Sequence, residues 1–346
     1  MEIENLLATL QARAPWRTVA SPLLKKLGFK VSRGFEDTFD EIRGSRVTAA
    51  QAASLRHAIV EHLIAGEKLL RIYDADQPTR QALLDWGNSL TATQNRLGSS
   101  FLRPASDTLL AQHENSPPQF VALHETGSGL AIIFTASRSY LERVDLPPSS
   151  LAPGVDASSF ERVYGVTKTR VQTYDVVWIP YAEDYFCIVT DSPDMAPVDF
   201  GSASQVALQA AIVRVLARRP TIRNLWPAID GLYQATGGQF VELGFLTDTD
   251  SVKLHKSRRG RKCLRSDEYH IGGATVVGSD LQPYRVAVRW TLKAQSSEIR
   301  SYPELQLPGT ARMIFGANPE LDHAFIRHCL NVRHLNFVLS KVDSHL

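Results

Sequence analysis

Apolar residues recur at helical spacing through the first hundred residues of the chain. The run from Ile3 to Leu10 shows this spacing most simply, with hydrophobic positions three and four residues apart. A second helix is predicted to begin at Ser21, which is followed by proline, and to end at Gly28. Longer helices are predicted from Thr48 and from Pro78. We therefore expect the N-terminal part of the chain to be helical, including the residues LLRIYD at the end of the Thr48 helix, which Gly66 could interrupt.

The pattern changes to strand-like alternation after the Asn-Ser-Pro-Pro sequence at residues 115–118. Residues 119–125 and 129–137 are predicted to form a hairpin, because the glycines between them suit a tight turn. Longer runs at 163–181 and 184–193 also favour strands. Short connections between successive strands are typical of antiparallel pairing. The middle of the chain is therefore predicted to be an antiparallel β-rich segment.

The last third mixes both patterns. A strong helix is predicted from Ser202 to Pro220, where proline ends it, and a shorter helix ends at Gly237. Strands are predicted in QFVELGFL, ATVVG and YRVAVRWTLK. The final helix is predicted to follow Pro319 and either to continue through the terminal residues or to break near Asn331.

These elements predict an α+β fold, with an N-terminal all-helical module followed by an antiparallel β-rich body whose helices pack on one face. We divide the chain into a helical module (1–105), a β-rich segment (106–200) and an α+β C-terminal segment (201–346). The sequence allows the last two segments either to fold separately or to form a single body. The N-terminal helices are the segment in which we expect a protein partner to bind.

Composition is that of an ordinary globular protein. Of 346 residues, 44% are hydrophobic and 21% are charged, which allows a sizeable core. The sequence contains no run of about 18 or more apolar residues, so we expect no membrane span and no membrane partner. Three cysteines lie far apart, which argues against a disulfide framework. We expect a cytoplasmic protein, or one in the nucleoid or nucleus if it binds DNA.

Charge is unevenly distributed although the net charge is only +2. From Ser251 to the end there are 15 Lys and Arg against 8 Asp and Glu, a net charge of +7. The preceding part has 23 against 28, a net charge of −5. Such polarity bears on the choice of partners and says nothing about the fold. It indicates a polyanionic partner for the C-terminal third.

The basic residues concentrate in one segment between two predicted strands, which we call the basic segment (residues 253–265). It contains no acid, and its cations are Lys253, Lys256, Arg258, Arg259, Arg261, Lys262 and Arg265. Arginine and lysine at this density are typical of contact with phosphates. The alternatives are a different acidic partner or a solvated loop with no partner. We predict nucleic acid as the ligand, without choosing between DNA and RNA.

Two further arginines extend the predicted interface. Arg285 and Arg289 lie four residues apart on the following strand, so their side chains share one face. Contacts dominated by charge give affinity with weak sequence preference. Nearby aromatic residues could stack on unpaired bases, and the candidates are Tyr269, His270, Tyr284 and Trp290.

A second chemistry is suggested by Asp248 and Asp250, which precede the basic segment. Two carboxylates two residues apart on a strand point the same way and can hold Mg²⁺. Glu242 on the same strand is a possible third ligand. The alternative is that Thr-Asp-Thr-Asp-Ser forms only a turn.

Other motifs are absent from the sequence: there is no P-loop, no GxGxxG, no GxSxG and no HExxH. No family is recognised in the sequence. Our prediction is a non-catalytic nucleic-acid-binding or adaptor protein that needs no cofactor. The alternatives are a Mg²⁺-dependent enzyme acting on nucleic acid or nucleotides, and a protein–protein interaction scaffold without nucleic acid.

Overall fold

A computed structural model describes most of the chain. The described residues are 2–92, 97–151, 154, 156, 160–193, 196–197, 199–247, 251–257, 262–277, 281–293 and 300–346. Arg258, Arg259 and Arg261 of the basic segment lie outside them, as do Asp248 and Asp250.

Eleven α-helices are formed by the described residues. They are α1 (Glu2–Arg13), α2 (Ser21–Lys26), α3 (Gly34–Arg43), α4 (Ala49–Ala65), α5 (Gln77–Ser89), α6 (Asp107–Gln112), α7 (Ser202–Leu216), α8 (Pro227–Gln234), α9 (Glu268–Val277), α10 (Ala311–Ile314) and α11 (Val332–Asp343). The ends of several follow directly from the sequence. Thr48 caps α4 in a reciprocal hydrogen-bond pair with Gln51, and the backbone turns out of the helix at Gly66. Asp76 and Asn331 cap α5 and α11 through their side chains.

The described residues also form twelve β-strands. They are β1 (Lys68–Asp74), β2 (Gln119–Thr126), β3 (Gly129–Leu146), β4 (Val163–Pro180), β5 (Tyr185–Asp191), β6 (Gln239–Leu246), β7 (Val252–Lys256), β8 (Gln282–Arg289), β9 (Leu292–Lys293), β10 (Arg300–Ser301), β11 (Glu304–Leu307) and β12 (Ala324–Arg327). Ten of them form one sheet in the order β2-β3-β4-β5-β1-β12-β11-β8-β6-β7, and its strand pairs are antiparallel. The short strands β9 and β10 pair separately. The sheet therefore ends in β2 on one side and in β7 on the other.

Two buried clusters lie on the two faces of the sheet. The larger contains Leu10, Ile59, Trp178 and Leu335, so it joins α1, α4 and α11 to the sheet. The smaller contains side chains that alternate with those of the larger along the strands, such as Val177 next to Trp178, and it is covered by α5 and α7. The centre of the sheet is thus buried on both faces, which explains the continuous apolar runs of β4 and β5.

The α+β class is confirmed, with a helical N-terminal region and a large antiparallel sheet. Within the described part of the chain, every helix is too short or too polar to cross a bilayer. The covering of a second face by α5 and α7 was not predicted. The division into three segments stays a prediction; strands from all three meet in the one sheet.

Three secondary-structure predictions were wrong. Residues Lys68–Asp74, predicted as the end of a helix, form β1 at the centre of the sheet, between β5 and β12. The residues predicted as the strand ATVVG belong in part to α9. The segment after Pro319 first forms β12, and the last helix begins only after Asn331. In each case the run of apolar residues is short, and such runs do not distinguish a strand from a buried helix.

Candidate nucleic-acid interface

The basic segment begins in β7, an edge strand of the sheet. β7 pairs with β6 on one side, and on its other side it is the outermost strand of the sheet. Its side chains alternate in exposure: Lys253 and His255 are half-buried, whereas Lys256 is exposed. β7 ends at Lys256, the Ser257 amide still donates to the Val241 carbonyl at 2.9 Å, and where the described chain resumes Lys262 is exposed. Lys256 and Lys262 are thus placed at the surface of the molecule.

Arg265, at the end of the basic segment, is bound internally. Its guanidinium donates hydrogen bonds to the carbonyls of Tyr233 and Ala235, at 2.7 and 2.8 Å. It also lies 4.3 Å from the centre of the Phe240 ring. Both carbonyls are at the C-terminal end of α8, where a cation is favoured by the helix dipole. Arg265 therefore holds α8 against β6.

Arg285 and Lys256 share an acidic partner on β6. The Arg285 guanidinium forms an ion pair with Glu242, and the Lys256 ammonium lies 3.3 Å from the other oxygen of the same carboxylate. Gln306 donates to that second oxygen at 3.2 Å. Because its oxygens already bind these donors, Glu242 is poorly placed to serve as a third ligand for Mg²⁺.

Arg289 has its own carboxylate. Its guanidinium lies 2.6 Å from Glu304, which is on the neighbouring strand β11. Half of the described cations of the predicted interface therefore form ion pairs with acids: Lys256, Arg285 and Arg289. Lys253 and Lys262 form no ion pair with any described residue.

Three of the four candidate aromatic residues are buried. Trp290 is 8% exposed, and Tyr284 and His270 are each 5% exposed, so a base cannot stack on them. Tyr269 is 70% exposed, and its ring lies 5.2 Å from that of His255 on β7. Burial lowers the pKa of His270, and the neighbouring His255 lowers it further. Tyr269 is therefore the aromatic side chain best placed to meet a ligand beside the basic segment.

Cys263, within the basic segment, is half-buried. Its thiol accepts a hydrogen bond from the Phe240 amide at 3.4 Å. Burial raises the pKa of the Cys263 thiol, but hydrogen bonds from Phe240 and Arg265 outweigh this effect, and the net shift is downward. The contact joins the segment to the start of β6.

Neither a protein-family model, nor a curated protein, nor a solved structure matches this chain. The assignment of a function to these residues therefore rests on their own chemistry.

A buried group of charges at the centre of the sheet was not predicted; we call it the central charge cluster (Arg13, Lys68, Arg138, Asp175 and Asp191). The Lys68 ammonium lies 2.6 Å from Asp191, and Lys68 is 1% exposed. Arg13 binds the same carboxylate, and Arg138 binds Asp175. Burial raises the pKa of Asp191, but Arg13 and Lys68 outweigh this effect and lower it to about 2.

The central charge cluster adjoins a cavity of about 280 Å³ whose walls include Arg13, His62, Glu67 and Asp191. These residues come from α1, α4, β5 and the turn before β1. Little in the sequence distinguishes them, since no recognisable motif includes them. Their partners are distant along the chain and meet only when the sheet forms.

Proposed function

We propose that the protein binds nucleic acid through the basic segment, contacting the phosphate backbone with weak sequence preference and without catalysis. The observation that carries this proposal is the density of cations: seven Lys and Arg within residues 253–265, with no acid among them. Lys253 and Lys256 are on the edge strand β7, where a long ligand can lie without displacing protein. Such a role places the protein in the cytoplasm, or in the nucleoid or nucleus if the ligand is DNA.

The predicted contacts fall into two groups. Lys253, Lys262 and the three arginines at 258, 259 and 261 are proposed as the main phosphate contacts. Lys256, Arg265, Arg285 and Arg289 are proposed to contribute less, because each already binds protein oxygens. An arginine paired with a carboxylate would have to break that pair before it could bind a phosphate through the same nitrogen atoms.

Tyr269 favours single-stranded over double-stranded ligands within this proposal. An exposed ring beside cations allows an unpaired base to stack, which contributes about 1–3 kcal/mol per base. In a duplex the base faces are occupied by neighbouring bases, so the ring would gain no such contact. We therefore expect Tyr269→Ala to weaken binding to single strands more than binding to duplexes.

The test is fluorescence-anisotropy titration of the full chain with short single- and double-stranded DNA and RNA across a salt series. The variant replaces Arg258, Arg259, Arg261 and Lys262 with serine. If each cation neutralises one phosphate, the slope of log affinity against log salt should become shallower by about 3, since each phosphate contributes about 0.7–0.9.

A matched control removes four exposed cations elsewhere: Arg17, Lys25, Arg33 and Arg46, each replaced with serine. It changes the net charge equally and should leave the affinity nearly unchanged. Equal losses in the two variants would show that net charge alone attracts the nucleic acid. No binding to any probe at low salt would sink the proposal and favour the scaffold alternative.

A further inference from the structure

Two histidines and a glutamate meet at the other end of the sheet from the basic segment. His57 and Glu61 are one turn apart on α4, so their side chains lie on the same face of that helix. His124 is on the edge strand β2, and its Nε2 atom lies 3.3 Å from Glu61 Oε1. One potential ligand atom from each of the three residues lies within 4.8 Å of those from the other two.

We propose that His57, Glu61 and His124 bind a divalent transition-metal ion, and that zinc is the ion their donor set favours. Imidazole nitrogen and carboxylate oxygen are both zinc ligands, and two histidines with one glutamate form a known catalytic set. Ligand atoms around a tetrahedral zinc are about 3.3 Å apart at the usual bond lengths of about 2.0–2.1 Å. The His124–Glu61 separation already has this value.

The surroundings enclose two of the ligands and leave the third exposed. The second oxygen of Glu61 accepts the Val332 amide at 3.1 Å, at the start of α11. Such a contact to a ligating carboxylate fixes its orientation and raises metal affinity. Glu61 and His124 are 14% and 15% exposed in their side chains, whereas His57 is exposed. The three ligand atoms lie within 4.8 Å of one another, so they would need to approach by about 1.5 Å or less to reach the separation around a tetrahedral zinc ion.

A cavity of about 440 Å³ opens beside His57 and Glu61. Its walls are mainly apolar, with Leu23, Leu27 and Leu330 among them. Three protein ligands leave one coordination position for water or for an exogenous donor, as in catalytic rather than structural zinc sites. The site would thus take a small molecule with one metal-binding group and an apolar body that fills the cavity.

The test uses the full chain, freed of metal with a chelator, in competition titrations with a fluorescent zinc indicator. The wild-type protein should bind one equivalent of Zn²⁺, and Co²⁺ should produce the visible absorption of a four-coordinate ion. His57→Ala is the first variant because His57 is exposed and its loss should leave the fold intact. The zinc affinity should fall by more than tenfold, since the loss of even an outer-shell partner costs about 10–100-fold.

The control is His255→Ala, which removes a histidine at the opposite edge of the sheet, on β7, whose ring lies 6.2 Å from that of His270. That variant should bind zinc as the wild type does. His124→Ala should lose affinity as His57→Ala does. Zinc should also raise the melting temperature of the wild type but not of His57→Ala, because only a ligand of the folded state stabilises it.

Wild-type protein that binds no zinc would overturn the proposal. So would equal zinc affinity in wild type and His57→Ala, or a loss of affinity in His255→Ala. The experiment uses no nucleic acid, so its outcome is independent of the function proposed for the basic segment.

Discussion

The central charge cluster and the basic segment are both rich in lysine and arginine, and they differ in what surrounds those cations. In the central charge cluster, Lys68 and Arg138 are almost entirely buried and each binds an aspartate. In the basic segment, Lys262 is exposed and has no ion pair with any described residue. Burial of a charge without a partner is very costly, so buried cations need fixed partners. Exposed cations are hydrated by water and remain available to a ligand.

A third environment, in which partly exposed cations have carboxylate partners, is intermediate between the central charge cluster and the basic segment. Arg285 and Arg289 are on β8, close to the basic segment, yet each has a carboxylate partner on a neighbouring strand. Proximity to the segment in the sequence does not make them equivalent to its exposed members. The three environments predict effects on stability and on binding that differ in size and in kind.

The largest expected effect is on stability, from the substitution Asp191→Asn. It leaves Lys68 and Arg13 without the carboxylate that both of them bind, and breaking a buried pair in this way costs about 3–5 kcal/mol. Urea unfolding followed by tryptophan fluorescence measures the loss. Asp85→Asn, at an exposed position of α5, is the control and should change the free energy of unfolding by less than about 0.5 kcal/mol.

If Asp191 acts through Lys68, the double variant Lys68→Met/Asp191→Asn should lose less stability than the sum of the single losses. A loss in the free energy of unfolding below about 1 kcal/mol in Asp191→Asn would show that the central charge cluster tolerates unpaired cations. Burial would then not be the reason that Lys68 and Arg13 have a fixed partner.

A smaller effect on stability is expected as the pH falls, because of His334. Its Nδ1 accepts the Leu330 amide at 3.1 Å, which requires the neutral ring. Burial lowers the pKa of His334 from 6.5 to about 4. The unfolded chain therefore binds a proton at a higher pH than the folded one, so this contribution to stability is present above pH 6.5 and is lost as the pH falls towards 4.

The full loss from His334 is on the order of 3 kcal/mol, since each pKa unit corresponds to about 1.4 kcal/mol. Denaturant unfolding between pH 7 and pH 4 measures it, and His334→Gln should make the decline with pH shallower. An unchanged decline in His334→Gln would mean that other groups account for it; His62, whose pKa burial also lowers to about 4, is the next to replace.

The smallest effect concerns Arg285 and separates paired from free cations. Arg285→Gln removes one ion-pair partner of the buried Glu242, so the free energy of unfolding should fall by about 1–3 kcal/mol. Nucleic-acid affinity should change less than in Arg258→Gln, which should in turn leave stability nearly unaffected. Urea unfolding and anisotropy titration of both variants test this. Equal losses of nucleic-acid affinity in Arg285→Gln and Arg258→Gln would show that Arg285 is also a main phosphate contact.

Much of the fold was predictable because it depends on neighbouring residues. A helix was predicted from Thr48, which the structure shows capping α4, and the glycines between β2 and β3 predicted their hairpin. The failures have a common cause. Lys68–Asp74 is apolar enough to continue a helix, and it becomes a strand because β5 and β12 provide backbone partners on both sides.

The candidate sites were predictable to a smaller extent. The spacing of His57 and Glu61 on a predicted helix is visible in the sequence, but it gains meaning only from His124, which is 63 residues from Glu61. The same holds for Lys68 and Asp191, which are 123 residues apart and touch in the folded chain.

The amino-acid sequence by itself determined where most helices and strands begin and end, and it determined that the cations of residues 253–265 stand together without an acid. Both are local properties, set by propensity, capping and composition. Only the tertiary structure decided which cations are paired with acids, because ion pairs depend on strand order and register. The pairing of β6 with β8 brings Glu242 to Arg285 across 43 residues, and no local pattern encodes that contact.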